Sequence, residues 1–410
     1  MHDLVVIGAG AAGLGAARTA IDLGLDMVLV EASHRIGGRA YSEEIKPGVP
    51  FDLGCHWLHS GSLNPFAAVA DRLGVSYVSG SRWNGRLRVE GRWANDQERE
   101  DLFRYWGRMD RRIERFDGGG EDISVAELID RDNPWVGFYD YWTSLMTSSD
   151  SDLVSAADMA AYRDTHEDWP VVDGYGNLVA RFGGDIPVSL NSAVGRIERT
   201  RGRVRVHTVR GTLESKKVLV TVSNGILASE HIRFDPPLPD WKREAIAGVR
   251  LGTHNRIAVA LDGDPLGDEA PVGIIDMEDE VPMLLRVKPF GHPYIVGGTG
   301  GRFADWLERA GIKASVDHLM GRLKRIFGSR IERAVGRHIV TAWGGDPWTL
   351  GAYSACLPGH AHQREVLAAP IDDQLWFAGE ATSREFFSTC HGAYLSGIHA
   401  VRDIAGRLKA

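Results

Sequence analysis

The first apolar positions of the chain follow the order strand, helix, strand. Residues 4–7 form a short continuous apolar run, small and apolar residues continue at helical spacing up to Gly24, and a second apolar run begins at Met27. A helix that connects two apolar strands in this way makes a βαβ unit, in which the strands are parallel. The pattern therefore predicts an α/β fold built on a mainly parallel sheet.

Helical periodicity returns in later parts of the chain. Residues 64–73 predict a helix that begins at an Asn-Pro pair, because proline is favoured in a first helical turn. Residues 98–116 and 315–327 have the same periodicity, and Ser315 is the predicted N-cap of the second of these helices. A last helix is predicted from His391 onward.

Three further stretches predict strands. Residues 204–209 and 217–222 alternate or run apolar, and we expect them to form a small sheet appended to the parallel one. The Asn-Gly pair at 224–225 follows them as a predicted turn. Residues 376–379 predict a buried strand that ends at Glu380, at the edge where α/β sheets contact ligands.

A glycine motif lies between the first strand and the first helix. Residues 8–13 read G-x-G-x-x-G, with an acid, Glu31, at the end of the second strand. Gly8 permits a tight turn and Gly13 lets the helix lie close to the strands. Gly10 lets the backbone approach a pyrophosphate, and the helix N-terminus at Ala12 faces the phosphates. With Glu31 accepting hydrogen bonds from a ribose, the unit is predicted to bind a dinucleotide.

Composition limits the alternatives. The chain has 410 residues, 43% of them hydrophobic and 25% charged, with a formal net charge of -8. This length predicts two domains, and the negative charge argues against a nucleic-acid partner. No apolar run approaches the roughly 20 residues that span a bilayer, and the first strand begins at the third residue, so we expect neither a membrane segment nor a signal peptide.

The cysteines indicate the redox environment. Cys55, Cys356 and Cys390 are scattered and lack the paired spacing of metal ligands. This predicts no metal site and a reducing, cytoplasmic location. The sequence does not indicate an oligomeric state.

The segment after Glu31 carries the first resemblance to a known family. Residues 35–39 read Arg-Ile-Gly-Gly-Arg, which resembles the Arg-x-Gly-Gly-Arg pattern of flavin-dependent amine oxidases. The resemblance implies FAD rather than NAD as the cofactor. Arg39 would reach back to the pyrophosphate as a charge-assisted donor. It also implies a Rossmann-type, GR2-like FAD-binding domain with an inserted α+β substrate-binding domain.

In that family the chain crosses repeatedly between the two domains. The expected FAD-binding segments are 1–79, 171–250 and 346–410. The expected substrate segments are 80–170 and 251–345. Tryptophans, beginning with Trp83, are frequent in the first substrate segment, which is predicted to be mainly helical.

Residues 51–59 resemble the strand and loop beside the flavin ring of polyamine oxidases. The resemblance places Cys55, His56 and Trp57 next to the cofactor. His59 falls where members of the family carry a His or Glu in the catalytic tunnel.

Two internal positions are also matched to the family. Val194 corresponds to the residue whose backbone holds the adenine. Arg256 stands where many amine oxidases place a lysine that binds a water next to flavin N5. Arginine does not deprotonate at working pH and is longer and forked. We expect this replacement to affect reoxidation by oxygen.

Residues 346–354 and 375–382 resemble two further motifs of the family, and residues 388–397 are very similar to the ending of animal-type spermine and acetylpolyamine oxidases. The last helix would point its N-terminus, next to Thr389 and Cys390, at the N1 and O2 edge of the flavin, where its partial positive charge stabilises the anionic reduced ring.

Two differences from the monoamine oxidases lie in the same region. Ala352 stands where those enzymes attach FAD through a cysteine, so FAD is expected to be non-covalent. Tyr353 supplies one wall of the aromatic pair that encloses the amine, but Thr389 replaces the other ring. The tunnel is therefore expected to be more open than a two-ring cage.

The resemblance implies an FAD-dependent oxidase whose small-molecule partners are a secondary or polyamine-like amine and O2. A hydride would leave the amine α-carbon for flavin N5, the imine would be hydrolysed, and oxygen would reoxidise the flavin to give hydrogen peroxide. His59 would hold the substrate nitrogen, Tyr353 would wall the pocket, and Arg256 would order water or substrate.

Two alternatives stay open. Amino-acid oxidases carry a Gly-Pro-Met-Arg stretch whose arginine binds the carboxylate, which residues 54–59 lack, but Arg256 would serve instead. The second alternative is a flavoprotein dehydrogenase or binding module with weak oxygen reactivity, motivated by the replacement of lysine by arginine at 256.

Overall fold

The structure is a computed structural model that describes residues 1–80, 85–267 and 270–409. It begins with the strand His2–Ile7, the helix Ala11–Asp22 and the strand Met27–Val30, and the two strands are parallel. Residues 4–7 are buried because their strand lies inside a sheet. The predicted βαβ unit and the α/β class are therefore confirmed.

Eight of the described strands form the first sheet. Their order is Arg233–Asp235, Val194–Thr200, Arg203–Thr208, Gly211–Val220, His2–Ile7, Met27–Val30 and Val188–Ser189, and Leu375–Phe377 also pairs with Gly211–Val220.

The strands predicted near residues 204–209 and 217–222 extend the parallel sheet as expected, and they form one continuous sheet with it. The polar half of Gly211–Val220 pairs antiparallel with Arg203–Thr208, and its apolar half pairs parallel with His2–Ile7. Residues 218–220 are buried at the centre of the sheet. One long strand thus joins an antiparallel extension to the parallel core.

The predicted turn at residues 224–225 is wrong. A helix, Asn224–Ala228, begins there, and its N-cap Ser223 accepts a hydrogen bond from the backbone N–H of Ile226. The Asn224 side chain donates to the backbone oxygen of Ile246 at 2.9 Å, so tertiary contacts hold this residue in the helix.

Helices cover both faces of the first sheet, because alternate residues of the central strand point to opposite sides. Leu4 and Val6 pack with one group of helices, and Val5 and Ile7 pack with the other. The first group is Ala11–Asp22, Pro65–Leu73, Tyr175–Gly183 and Cys390–Lys409. The second group is Asn224–Ala228, Asp240–Gly248 and Gln363–Ala368.

Seven of the described strands form the second sheet. Their order is Val335–Val340, His254–Leu261, Tyr294–Gly300, Met283–Val287, Gly273–Asp276, Gly85–Val89 and Arg92–Trp93. Ile257 and Leu285 pack against residues of the helices Gly301–Ala310 and Ile312–Phe327. Strand alternation therefore places Arg256, Leu284 and Arg286 on the opposite face.

Ser315 is not the N-cap that the sequence predicts. The helix begins three residues earlier, at Ile312, after the N-cap Gly311. Gly311 has φ +93°, a conformation that glycine adopts readily, and this lets the chain turn sharply out of the preceding helix. The Ser315 hydroxyl instead donates to the backbone oxygen of Gly311 at 3.3 Å.

The chain also forms helices and short strand pairs that belong to neither of the two large sheets. The helices are Asp96–Glu114, Val125–Leu128, Val136–Thr147 and Ala156–Ala161, with short 3-10 turns at Gly61–Leu63, Ser151–Leu153, Pro289–Gly291, Ser329–Ala334 and Glu380–Thr382. Strand pairs form between Ser42–Lys46 and Val49–Asp52, Trp57–Leu58 and Trp169–Pro170, and Val249–Leu251 and Ser354–Cys356.

The predicted helix near residues 98–116 is Asp96–Glu114, and an Asn95–Glu98 capping box fixes its start. Trp83 lies outside the described residues. Across those residues, no helix combines the length and the apolar character that a bilayer crossing requires.

Candidate active site

A cavity of about 1420 Å³ is lined by residues of both sheets. It extends from the glycine motif of residues 8–13 past the loop of residues 54–59 to the inward face of the second sheet. Every site residue predicted from the sequence lines this cavity except Gly13, which is buried in the helix Ala11–Asp22.

The glycine motif leaves room for a ligand at one position. A Cβ on Gly13 would lie 1.8 Å from the backbone oxygen of Gly8, so the helix packs against the turn through this glycine. A Cβ on Gly8 would meet Thr221 at 2.9 Å. At Gly10 no protein atom lies within 4 Å of a Cβ, and no side chain caps the helix that begins at Ala11. Gly10, Ala12 and the open space beside them fit a pyrophosphate.

Glu31 lies at the end of the second strand. Its Oε2 accepts a hydrogen bond from the backbone N–H of Ala9 at 2.6 Å, and its Oε1 accepts one from Ser33 at 2.9 Å. Each oxygen keeps a lone pair for a ribose hydroxyl. Val194 lines the same end of the cavity with its neighbours 192–195. This donor and acceptor set fits the adenosine half of FAD.

Glu380 connects segments that are far apart in sequence. Its Oε1 accepts from Arg39 Nη1 at 3.1 Å, while its Oε2 accepts from the Ser354 hydroxyl at 2.6 Å and from the backbone N–H of Ser388 at 3.0 Å. Glu380 is buried, so these bonds hold the Arg39 guanidinium in a fixed position on the cavity wall. The protein thus engages both Glu380 oxygens, and direct contact with the cofactor stays a prediction.

The loop of residues 54–59 carries three of the expected cofactor neighbours. The pKa of the Cys55 thiol is lowered, mainly by a hydrogen bond with the Cys390 thiol. Both cysteines are free. Trp57 lies edge-on to His56, with 5.5 Å between the ring centres.

His56 is neutral at physiological pH because burial lowers its pKa to about 4. Its Nδ1 lies 3.2 Å from the Asp52 carboxylate. The same carboxylate accepts hydrogen bonds from the backbone N–H groups of Tyr175 and Gly176 at 3.0 and 3.1 Å. The carboxylate fixes the proton on Nδ1, so Nε2 is an acceptor. Sequence reasoning named Asp52 only as part of the loop.

His59 forms a close pair with Asp168, at 2.6 Å from Nδ1 to the carboxylate. Burial opposes the charged ring, but the hydrogen bond and charge of Asp168, together with Asp164, outweigh it and raise the pKa of His59. The pair makes His59 a stronger proton acceptor than an isolated histidine. Asp168 carries no local sequence signal, because it is brought to His59 from 109 residues away.

A group of carboxylates lines the cavity next to this pair, and we call Asp110, Glu114 and Asp164 the acidic wall. The Tyr139 hydroxyl donates to Asp110 at 2.8 Å, and His166 lies within 3.7 Å of both Glu114 and Asp164. Burial raises the pKa of Asp110 to about 6. Asp110 and Glu114 lie on one helix and Asp164 lies in a loop, and the sequence did not predict that these two segments meet.

Two arginines face the other side of the cavity. Arg256 donates from Nη1 to the backbone oxygen of Asp52 at 3.0 Å. The Arg286 guanidinium lies over the Trp57 ring, 3.9 Å from its centre. Sequence reasoning selected Arg256 and missed Arg286, because a single arginine in a five-residue strand does not indicate which face it occupies.

Tyr353 and Thr389 also lie on the cavity wall. The Tyr353 hydroxyl donates to the backbone oxygen of Leu145, which fixes the ring, and burial raises the pKa of Tyr353. The Thr389 hydroxyl accepts from the backbone N–H of Gly392 at 3.0 Å and donates to the Phe386 oxygen at 2.7 Å. Thr389 thus caps the last helix, and its polar group is engaged there.

A dinucleotide-type sheet, a second sheet and one long cavity between them define a flavoprotein oxidoreductase. Residues 11–405 match the family described as flavin containing amine oxidoreductase, and the chain belongs to it. It is an FAD-dependent oxidoreductase that acts on amines, as the sequence predicts.

Similar proteins cover nearly the whole chain. Polyamine oxidase 4 of Oryza sativa subsp. japonica is 29% identical, over 99% of this chain and 89% of the relative. Probable polyamine oxidase 4 of Arabidopsis thaliana is 28% identical, over 97% and 86%. The solved structure of cyclohexylamine oxidase from Brevibacterium oxydans IH-35A has a TM-score of 0.82 at 21% identity and covers 100% of both chains.

Proposed function

We propose that this enzyme oxidises an aliphatic secondary amine of the polyamine type and uses O2 as the acceptor. When bound, FAD supplies the chemistry, accepting a hydride from the amine α-carbon and reducing O2 to hydrogen peroxide. The observation that carries the substrate class is the acidic wall beside the His59–Asp168 pair, which offers carboxylates to a second, distal ammonium group.

The cavity residues have separate roles in this proposal. The His59–Asp168 pair accepts the proton of the substrate ammonium, so that the reacting nitrogen is neutral. Tyr353 walls the pocket, and Thr389, with its hydroxyl engaged in the helix cap, leaves the tunnel open on its side. Arg256, held by the Asp52 backbone oxygen, orders water or substrate.

Strand membership supports the proposed domain division. Strands within 1–79, 171–250 and 346–410 build the first sheet, and strands within 80–170 and 251–345 build the second. We assign FAD binding to the first set and substrate binding to the second. The free cysteines support a cytoplasmic, reducing location.

Anaerobic titration of the purified yellow protein tests the proposed function. We expect spermidine-like amines, and not aromatic monoamines or α-amino acids, to bleach the flavin band. Admission of air should then release peroxide in proportion to the amine consumed. Bleaching by α-amino acids alone would support the amino-acid oxidase alternative, and bleaching without peroxide would support a dehydrogenase.

FAD should be released when the protein is precipitated with acid. The methyl side chain of Ala352 has no nucleophilic atom, such as a cysteine sulfur, that would attach to the flavin. The yellow colour is therefore expected in the supernatant, measured by its absorbance. Colour in the washed pellet would contradict non-covalent binding.

Substrate affinity should depend on the ionisation of Asp110. Because burial raises its pKa to about 6, Asp110 is neutral below that pH and anionic above it. For a substrate with a distal ammonium, KM should fall about tenfold as pH rises through 6, since one more charge pair forms in a partly buried site.

Asp110→Asn isolates this contribution from the titration of the substrate and of Glu114, Asp164, His166 and His59. The ratio of variant to wild-type KM should be near 1 at pH 5 and near 10 at pH 8. Glu100→Gln, an exposed change on the same helix, serves as the control. A ratio that is independent of pH would contradict the assignment.

A further inference from the structure

Arg286 presents an unpaired positive charge to the cavity. It lies on the strand Met283–Val287, where Met283, Leu285 and Val287 point into a buried core and Arg286 points the other way. Its guanidinium stacks on the Trp57 ring at 3.9 Å, and it has no hydrogen bond or ion pair with another described residue. The stacking fixes a planar fork of N–H donors that the protein leaves unused.

Arg256 adds a second charge on the same face of the sheet. The strand Tyr294–Gly300 separates the two arginines, and Arg256 lies opposite Gly298 while Arg286 lies opposite Val296. Gly298 carries no side chain, so its strand places no side chain directly beside Arg256. Burial, and after it the positive charge of Arg256, lower the pKa of Arg286 to about 10, so Arg286 stays cationic at neutral pH.

The nearby carboxylates have other partners. Asp52 accepts hydrogen bonds from His56 and from the backbone N–H groups of Tyr175 and Gly176, and Asp168 pairs with His59. Among the described residues, no carboxylate oxygen lies within 4 Å of either guanidinium. Asp168 acts on Arg286 only from beyond that distance. Two partly buried cations without a counter-ion in direct contact are unfavourable, and a bound anion would lower that cost.

We propose that Arg286, assisted by Arg256, binds a carboxylate carried by the substrate. This inference rests on the proposed function and narrows its substrate class. The substrate is then a secondary amine with one ammonium arm directed to the acidic wall and one carboxylate arm directed to the arginines. A carboxylate matches the guanidinium fork with two parallel hydrogen bonds, and the apolar Trp57 face behind Arg286 strengthens them by excluding water.

A matched pair of substrates tests the proposal on the FAD-loaded enzyme. Spermidine is compared with N-(3-aminopropyl)-4-aminobutanoate, in which a carboxylate replaces one terminal aminomethyl group. We expect the wild type to prefer the carboxylate compound by about tenfold to hundredfold in kcat/KM. This is the change in affinity that a hydrogen bond to a charged group usually gives.

Variants of Arg286 then locate the interaction. Arg286→Gln should remove the preference mainly through KM for the carboxylate compound, and Arg286→Lys should restore part of it, because lysine keeps the charge but loses the fork. Arg250→Gln, an exposed change on the strand Val249–Leu251 outside the second sheet, should keep the wild-type preference.

Binding without turnover gives an independent measurement, which holds even where an Arg286 variant folds poorly. Calorimetric titration of wild-type holoenzyme should show hexanoate binding at least tenfold more tightly than hexanamide, its neutral analogue. Oxidation of spermidine at an equal or better kcat/KM, with no preference for hexanoate, would overturn the carboxylate inference and leave the proposed function intact. Failure of both substrates to reduce the flavin would instead overturn the proposed function.

Discussion

Gly13→Ala is expected to yield protein that purifies with little or no FAD. A Cβ at this position would lie 1.8 Å from the backbone oxygen of Gly8 and 3.0 Å from the Thr221 hydroxyl. Because the first of these is a backbone atom, the helix Ala11–Asp22 must move away from the strand His2–Ile7. That movement displaces the helix N-terminus from the phosphate position and costs more than the roughly 1–3 kcal/mol of ordinary overpacking. The ratio of flavin to protein absorbance measures the outcome.

Gly10→Ala separates loss of the ligand from loss of the fold. Its Cβ would meet no protein atom within 4 Å, and its φ of -74° suits alanine. The variant should therefore melt like the wild type as apoprotein, yet bind FAD about tenfold to hundredfold more weakly, since the methyl group occupies the pyrophosphate space.

Gly406→Ala provides a control for the glycine substitutions. Gly406 lies in the last helix with open space around it, so the variant should raise the free energy of unfolding by about 0.5–1 kcal/mol without changing FAD affinity.

Wild-type FAD affinity in Gly10→Ala would contradict the assignment of the phosphate site.

Local signals explain which elements could be predicted. The βαβ unit follows from residues that are adjacent in sequence, and the helix Pro65–Leu73 begins where Asn64 accepts a hydrogen bond from Phe66. Only the second half of the strand Gly211–Val220 was predicted, and its pairing was not, because its polar and apolar halves pair with different neighbours, one of them more than 200 residues away. Periodicity identifies a strand but carries no information about a distant partner.

The candidate site divides in the same way. Gly10, Glu31 and Arg39 stand in motifs whose spacing carries a mechanism, so they could be nominated from sequence. The acidic wall and Arg286 could not, since a charge on one helix and a charge on one strand acquire meaning only where tertiary packing directs them into one cavity. Asp168 is a similar case, because its importance comes from the His59 ring beside it.

Arg256→Met is expected to slow turnover by about 100-fold, the usual effect of removing one preorganised charged donor from an enclosed site. The guanidinium is held by the Asp52 backbone oxygen at 3.0 Å, and Arg256 lines the cavity together with His56 and Tyr353. Methionine fills similar space without a donor or charge, so packing is largely retained. Stopped-flow measurements should follow anaerobic reduction by the amine and reaction of the reduced enzyme with O2 separately.

The two half-reactions distinguish the roles of Arg256. Slowed reduction assigns it to the substrate, and slowed reoxidation assigns it to ordered water or to oxygen. Arg256→Lys should recover part of the lost rate, because an ammonium group keeps the charge in a shorter, unforked side chain. Arg250→Met removes an exposed arginine from the strand Val249–Leu251, outside the second sheet, and should leave both rates as in the wild type. If both rates of Arg256→Met lie within a factor of two of the wild type, Arg256 has no part in the reaction.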